Sequence, residues 1–189
     1  MKLLPLALMS LLTVAGSAAA ADYRIDPNHT MVLASWNHMG YSNPSANFRG
    51  ATGTIRYDEK TPEKSSVEVM IPIDQIDTFV PKLDEHLKGP DFFDAQKYPT
   101  ATFKSTKVTM KDGHLKVMGD LTLHGVTKPV TLKAKLNKVG IAEMMKVPAI
   151  GFDASTTISR SAFGISQGVP LIGDEIELRI TTEAHGDKK

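Results

Sequence analysis

The apolar residues of this chain recur at every second position, and that period constrains the fold more than any other feature. Val67, Val69, Ile71 and Ile73 fall on one face of an extended segment. So do Leu115, Val117, Gly119, Leu121 and Leu123, with Lys116, Asp120 and Thr122 opposite them. Val130, Leu132, Ala134 and Leu136 alternate with Thr131, Lys133 and Lys135, and Ile176, Leu178 and Ile180 alternate with Glu175, Glu177 and Arg179. Side chains at i, i+2 and i+4 share a face only in a β-strand. The β-branched content agrees, since residues 21–189 hold 12 Ile, 11 Val and 16 Thr against 10 Leu.

Four weaker strands complete a set of eight: 32–38, 51–57, 101–110 and 149–160. Gly53 marks a bend or a close backbone approach. Lys111-Asp112-Gly113 and His124-Gly125 are tight-turn sequences, because Asp-Gly and His-Gly tolerate positive φ. One stretch departs from the pattern. Val80, Leu83 and Leu87 have helical spacing, Pro81 suits a first turn, and Gly89-Pro90 ends the segment. The fold expected is all-β: an eight-stranded antiparallel barrel with a short helical insertion around residues 79–94. An eight-stranded barrel is wide enough to be filled by side chains or to hold one ligand. Glu68, Lys116, Asp120, Lys133, Lys135, Glu175, Glu177 and Arg179 on the faces opposite exclude a membrane barrel, whose outer band is apolar.

Residues 1–20 read as a signal peptide. Lys2 is the positive start, Leu3 to Val14 the apolar stretch, and Ser17-Ala18-Ala19-Ala20 the small-residue cleavage pattern, with the cut after Ala20 or Ala21. Residues 21–189 then form a single domain, periplasmic or secreted. The chain carries 22 Lys and Arg against 21 Asp and Glu, so removing Lys2 leaves it balanced. Such a chain is a poor nucleic-acid binder, because that affinity comes from neutralising phosphates. There is no cysteine, hence no disulfide, thiol nucleophile or thiolate-held metal.

Few residues suggest chemistry. Gly164-Ile165-Ser166-Gln167-Gly168 matches the G-x-S-x-G elbow, but Val169-Pro170 and Gly173 leave little room for the required helix. No histidine pair has metal-ligand spacing, and no cofactor is implied. His86, beside Asp84 and Glu85, reads as part of a solvated helix face. His38 continues the Val32–Ala34–Trp36 face; it either closes the strand end or meets a ligand's polar end. Arg160 is either a surface charge or the partner of an anionic head group.

Several motifs resemble the YceI-like proteins. They are Tyr23-x-Ile25-Asp26-x-x-His29, His38-x-Gly40-x-Ser42, His86-Leu87-Lys88 with Asp91-Phe92-Phe93-Asp94, and Lys97-Tyr98-Pro99-x-Ala101-x-Phe103. Gly119-Asp120-Leu121-Thr122-Leu123-His124-Gly125-Val126-Thr127-Lys128-Pro129-Val130 and Arg160-x-x-Phe163-Gly164-Ile165 follow in the same order. The resemblance implies a lipocalin-like barrel whose elongated apolar cavity binds a polyisoprenoid or another long-chain amphiphile. Ala34 and Ala51 stand where relatives often carry larger aromatics, which predicts a wider cavity there.

The function expected is that of an exported soluble binding protein, not an enzyme, that sequesters or transports such a ligand. Val32, Trp36, Ile55, Phe103, Leu121, Phe152 and Ile158 would line the cavity. Phe92, Phe93 and Phe163 would form a lid, and His38 and Arg160 would meet the polar head. Two alternatives stay open: an esterase using Ser166, and a structural or stress-response barrel filled by its own side chains. A sheet edge left by incomplete closure offers a route to a homodimer.

Overall fold

The computed structural model describes residues 20–188. The expected signal region, apart from its last residue, lies outside these. The strands are β1 (Ala21–Ile25), β2 (Met31–His38), β3 (Ser45–Phe48), β4 (Thr52–Tyr57), β5 (Ser66–Pro72), β6 (Ile76–Asp77), β7 (Thr100–Lys111), β8 (His114–Leu123), β9 (Val126–Ala142), β10 (Val147–Ser159) and β11 (Ile172–His185). One helix, α1 (Pro81–Lys88), lies between β6 and β7.

Eight of these strands close a ring. The order is β1, β4, β5, β7, β8, β9, β10, β11, and β11 pairs back onto β1. All pairings are antiparallel, so the ring is the barrel expected from the alternation. Strand β11 serves two partners along one edge. Ala184 and His185 pair with Ile25 and Arg24 of β1, whereas residues 172–181 pair with β2. Strands β2, β3 and β6 thereby extend the wall at one end. Among the described residues no pairing joins β6 to β7, and α1 with the turns after it occupies the sequence between them.

Three short strands were not among the eight read from sequence. β1, β3 and β6 each present only one or two inward apolar residues, namely Tyr23 and Ile25, Ala46 and Phe48, and Ile76. The segment read as 67–73 stops at Pro72 and turns through a 3-10 turn at Ile73–Gln75 before β6 resumes. The helix is as the spacing implies, with Val80 at its N-cap and Pro81 in its first turn, where the missing N–H costs nothing. Asp112 and Gly113, and His124 and Gly125, all take positive φ, as two-residue hairpin turns demand.

The apolar faces point inward. All eight charged residues named on the opposite faces are exposed. Two packed clusters build the two halves of the barrel. One gathers Tyr23, Ile25, Tyr57, Leu115, Ile150 and Phe152; the other gathers Ala46, Phe48, Ile73, Leu87, Phe92 and Phe163. Gly119 sits on the inward face of β8 because Phe103 lies over it: a Cβ there would stand 2.5 Å from both the Phe103 ring and the Lys104 carbonyl oxygen. Gly53, at φ +149, lets β5 approach to where a Cβ would be 2.0 Å from the Glu68 carbonyl oxygen. The close-approach reading of Gly53 therefore holds.

Where the chain leaves β1 for β2, Asp26 organises the corner. Its carboxylate accepts from the Asn28 N–H and holds His29 Nδ1 at 2.6 Å, with His185 Nδ1 3.9 Å away. The hydrogen bond to His29 lowers the Asp26 pKa, and the same bond raises that of His29.

Two predictions follow from this frame. Gly119→Ala should destabilise the fold by about 1–3 kcal/mol, because the ring and the carbonyl must both give way; an unchanged urea midpoint would contradict it. The Asp26–His29 pair should add most stability between the ordinary pKa values of the two groups, 3.8 and 6.5. The histidine's share is complete below 6.5 and is lost as pH rises through its raised value. The aspartate's share is complete above 3.8 and is lost as pH falls through its lowered value. Thermal unfolding across pH should show wild type and Asp26→Asn furthest apart inside that window.

Candidate functional site

The barrel is wider than its inward side chains can fill. Along β11, Ile176, Leu178, Ile180 and Thr182 line a cavity at period two, and along β10 Phe152, Ala154, Thr156 and Ile158 do the same, with Arg160 just beyond. Val67, Val69, Ile71, Leu121, Leu132, Ile176, Leu178 and Ile180 point inward yet are only half-buried, since they face open space rather than neighbours. The space has two chambers, about 360 Å³ and about 160 Å³. Val32, Ile71, Leu121 and Leu178 line both and form the waist between them. The larger chamber alone lies within the range of small-molecule sites, roughly 300–1,000 Å³.

The smaller chamber is walled by aromatic and aliphatic side chains. Tyr57 and Phe152 meet edge to face at 5.8 Å in its wall, and Ile150 and Ala184 pack in the cluster around them with 1% and 0% exposure. Burial raises the Tyr57 and Tyr23 pKa values there. The larger chamber opens beside α1, where His86 is exposed yet forms part of the lining together with Leu83 and Leu87.

Of the residues singled out from sequence, Trp36, His38, Phe92, Phe93, Ile158 and Arg160 line the larger chamber. Ile55, Phe103 and Phe152 line the smaller, and Val32 and Leu121 line both. Phe163 departs from its expected place at the lid. It is 2% exposed and belongs to the packed cluster behind the chamber wall, outside the lining of either chamber. Phe92 and Phe93 line the larger chamber near α1: Phe92 meets the His86 ring at 4.9 Å, and Phe93 meets Phe48 edge to face at 5.5 Å. His86 thus has a second role beside its solvated face. Helical spacing could have revealed it, since it neighbours Leu83 and Leu87 on α1. Ala34 borders the larger chamber and Ala51 the smaller, but Ala51 is fully buried, so its small size is taken up by neighbours.

Arg160 requires a correction of the surface-charge reading made from sequence. It borders the larger chamber but is not on the surface. It is 6% exposed, and four of its five N–H groups donate to backbone carbonyls: Nε to Gly173, Nη1 to Ile165 and Gln167, and Nη2 to Ile172, all within 2.9–3.0 Å. The guanidinium therefore ties down the loop from residue 161 to residue 171. Burial lowers its pKa, and the negative charge of Asp174 opposes that shift. Asp174 itself accepts from the hydroxyls of Ser159 and Ser161 and from the Ser161 N–H, bonds that hold its pKa low. Ser166 lies exposed in that same loop, between a 3-10 turn at Ser161–Phe163 and β11, so the strand–turn–helix of a nucleophile elbow is absent around it. Among the described residues no cluster of three His, Asp or Glu side chains is arranged to hold a metal ion, and no helix is long and apolar enough to cross a membrane.

Arg160→Met should cost about 2–4 kcal/mol, since it strips a charged donor from four carbonyls at once. Hydrogen exchange should then show the 161–171 loop opening ahead of the barrel, and uniform exchange would contradict the tethering role.

Comparison with known proteins places these features in a family. A YceI-like domain matches residues 23–184. Protein YceI of Escherichia coli O157:H7 is 41% identical over 183 residues, covering 96% of this chain and 95% of that one. A UPF0312 protein of Pseudomonas aeruginosa is 40% identical over 180 residues, covering 94% of each. Among solved structures, a Campylobacter jejuni YCEI protein superposes with a TM-score of 0.72 at 32% identity, covering 80% of this chain and 90% of its own. Burkholderia cenocepacia BcnA shares the fold with a TM-score of 0.77 at 24% identity, over 85% and 99% of the two chains. A polyisoprenoid binding domain from Saccharophagus degradans shares it with a TM-score of 0.64 at 12% identity, over 89% and 99%. A barrel closed on itself, apolar within and charged without, with the family's motifs in order along it: the chain belongs to the YceI-like family.

Proposed function

We propose that this protein binds a long-chain amphiphile, such as a polyisoprenoid, a quinone tail or a fatty amide, with its chain laid along the barrel axis. The observation that carries the reading is the two-chambered apolar lumen, whose inward side chains remain accessible inside a closed barrel. The Saccharophagus degradans domain of the same fold, described as binding polyisoprenoid, supports it. Burial of a methylene contributes about 0.8 kcal/mol, so a chain gains roughly fourfold in affinity per carbon until the lumen is full.

In this reading Val32, Trp36, Ile55, Phe103, Leu121, Phe152 and Ile158 touch the chain, while Phe92 and Phe93 close over its outer end. His38 meets the polar head. Arg160 shapes the wall there and has one N–H left to offer. Binding rather than ester hydrolysis is the activity, because Ser166 sits outside both chambers. The protein works after export, cut behind Ala20, which leaves the Ala21–Tyr57 pairing of β1 intact. It sequesters or carries its ligand there.

Native mass spectrometry of freshly purified protein, followed by solvent extraction, tests the reading. A bound lipid, or uptake of added polyprenol reported by Trp36 emission, is expected; neither outcome appearing would overturn it. Leu121→Trp narrows the waist. It should weaken long-chain ligands by about tenfold or more while sparing those short enough for the outer chamber. Equal loss for all lengths would contradict an axial chain.

A further inference from the structure

The two ends of the barrel differ in what their loops carry. The turns at the end nearer the smaller chamber are charged, with Asp58, Glu59 and Lys60, then Lys111 and Asp112, then Glu143 and Lys146. At the open end, residues 39–48 and 161–173 contain no Asp, Glu, Lys or Arg. These two segments are joined, since the Met39 N–H donates to the Leu171 carbonyl at 3.0 Å and Ile172 pairs with His38. They expose Tyr41 at 89% and Leu171 at 68%, with Met39 and Val169 beside them. On the α1 side of the same chamber Phe79 is 79% exposed and Val80 51%.

Phe79 carries a second, independent signal. Its φ is +63, a conformation that costs an aromatic residue free energy unless its surroundings impose it. Here they do. The Phe79 N–H donates to Asp77 Oδ1, the Val80 N–H to Thr78 Oγ1, and Thr78 donates from both its N–H and its hydroxyl to Asp84 Oδ1. The fold spends this strain to hold an aromatic ring out in water at the rim of an apolar opening.

We propose that the rim docks on a lipid bilayer, seating Phe79, Tyr41 and Leu171 at the boundary between head groups and acyl chains, with the mouth facing the membrane. The inference rests on the lipid-binding reading above. Two charge-free segments have no charge to desolvate on insertion, and tyrosine suits that boundary. The α1 side carries Lys82, Lys88 and Lys97 against Asp84, Glu85, Asp91 and Asp94, so no net positive charge draws it to anionic lipid. Contact is therefore apolar and insensitive to salt. A ring around an opening also suits a bilayer better than a protein partner, whose contact would lack the packed centre where binding energy concentrates.

Flotation with vesicles of pure zwitterionic phosphatidylcholine, at low and at high salt, tests this. Wild type should float equally in both. The double variant Phe79→Asn with Leu171→Ser should partition at least about tenfold less. Asparagine tolerates positive φ, so this variant should fold as well as wild type, and its Trp36 response to detergent-dispersed polyprenol should be unchanged. A wild type that does not float, flotation abolished by salt, a double variant that floats like wild type, or a loss that coincides with a dimer-to-monomer shift in sedimentation would each overturn the proposal. If Trp36 never responds to polyprenol while flotation follows the rim variants, the ligand reading fails and the docking surface stands.

Discussion

Everything in this fold depends on β11 serving two partners at once. Its last residues pair with β1 and close the ring, while its longer first part pairs with β2 and carries the wall onward past the ring. With backbone groups paired around the ring, the molecule keeps a large part of its polar hydrogen bonding in the wall and leaves the lumen almost wholly to apolar side chains. The five residues between β1 and β2, cornered by Asp26 and His29, are what let one strand change partners without breaking the sheet.

The lumen shows how an apolar interior can stop short of being a core. Packing is tight around Ile150 and Ile73, which are almost wholly buried. Around the waist the side chains are Val32, Ile71, Leu121 and Leu178, too short to meet across an eight-stranded ring. A filled barrel would need aromatic residues at Ala34, Ala154 and the other small positions along the wall. Their absence leaves dispersion contacts unmade, and a greasy guest can supply those contacts. The same economy governs the polar groups. The one buried guanidinium, Arg160, gives most of its donors to carbonyls and so adds little polarity to the chamber it borders.

Long strands with strict alternation were legible in the sequence, because burial on one face alone writes a period of two. Ile176, Leu178 and Ile180 needed no structure to place them on a common face. The helix was legible for the same reason, through Leu83 and Leu87. Strands β1, β3 and β6 were not, since two residues of alternation cannot be told from chance and their pairing is decided by distant partners. Arg160 and Phe163 illustrate the other gap. Nothing local says whether an arginine after a strand meets solvent, a ligand or its own backbone. A phenylalanine in a glycine-rich loop likewise gives no sign of whether it faces a cavity or packs behind its wall. Those outcomes depend on how residues 161 to 171 fold back over the barrel, and that path is set by carbonyls that sequence patterns do not register.

The waist between the two chambers has a kinetic meaning. A chain that entered beside α1 would pass this waist end first and would leave by drawing back the same way. Release is then a withdrawal past the waist at Leu121, one carbon after another, and each added carbon deepens the well that must be climbed. Residence time would grow roughly geometrically with chain length while entry, limited by finding the mouth, would not. The barrel would thus sort its guests by how long they stay, acting as a timer on chain length even where equilibrium affinities are all high.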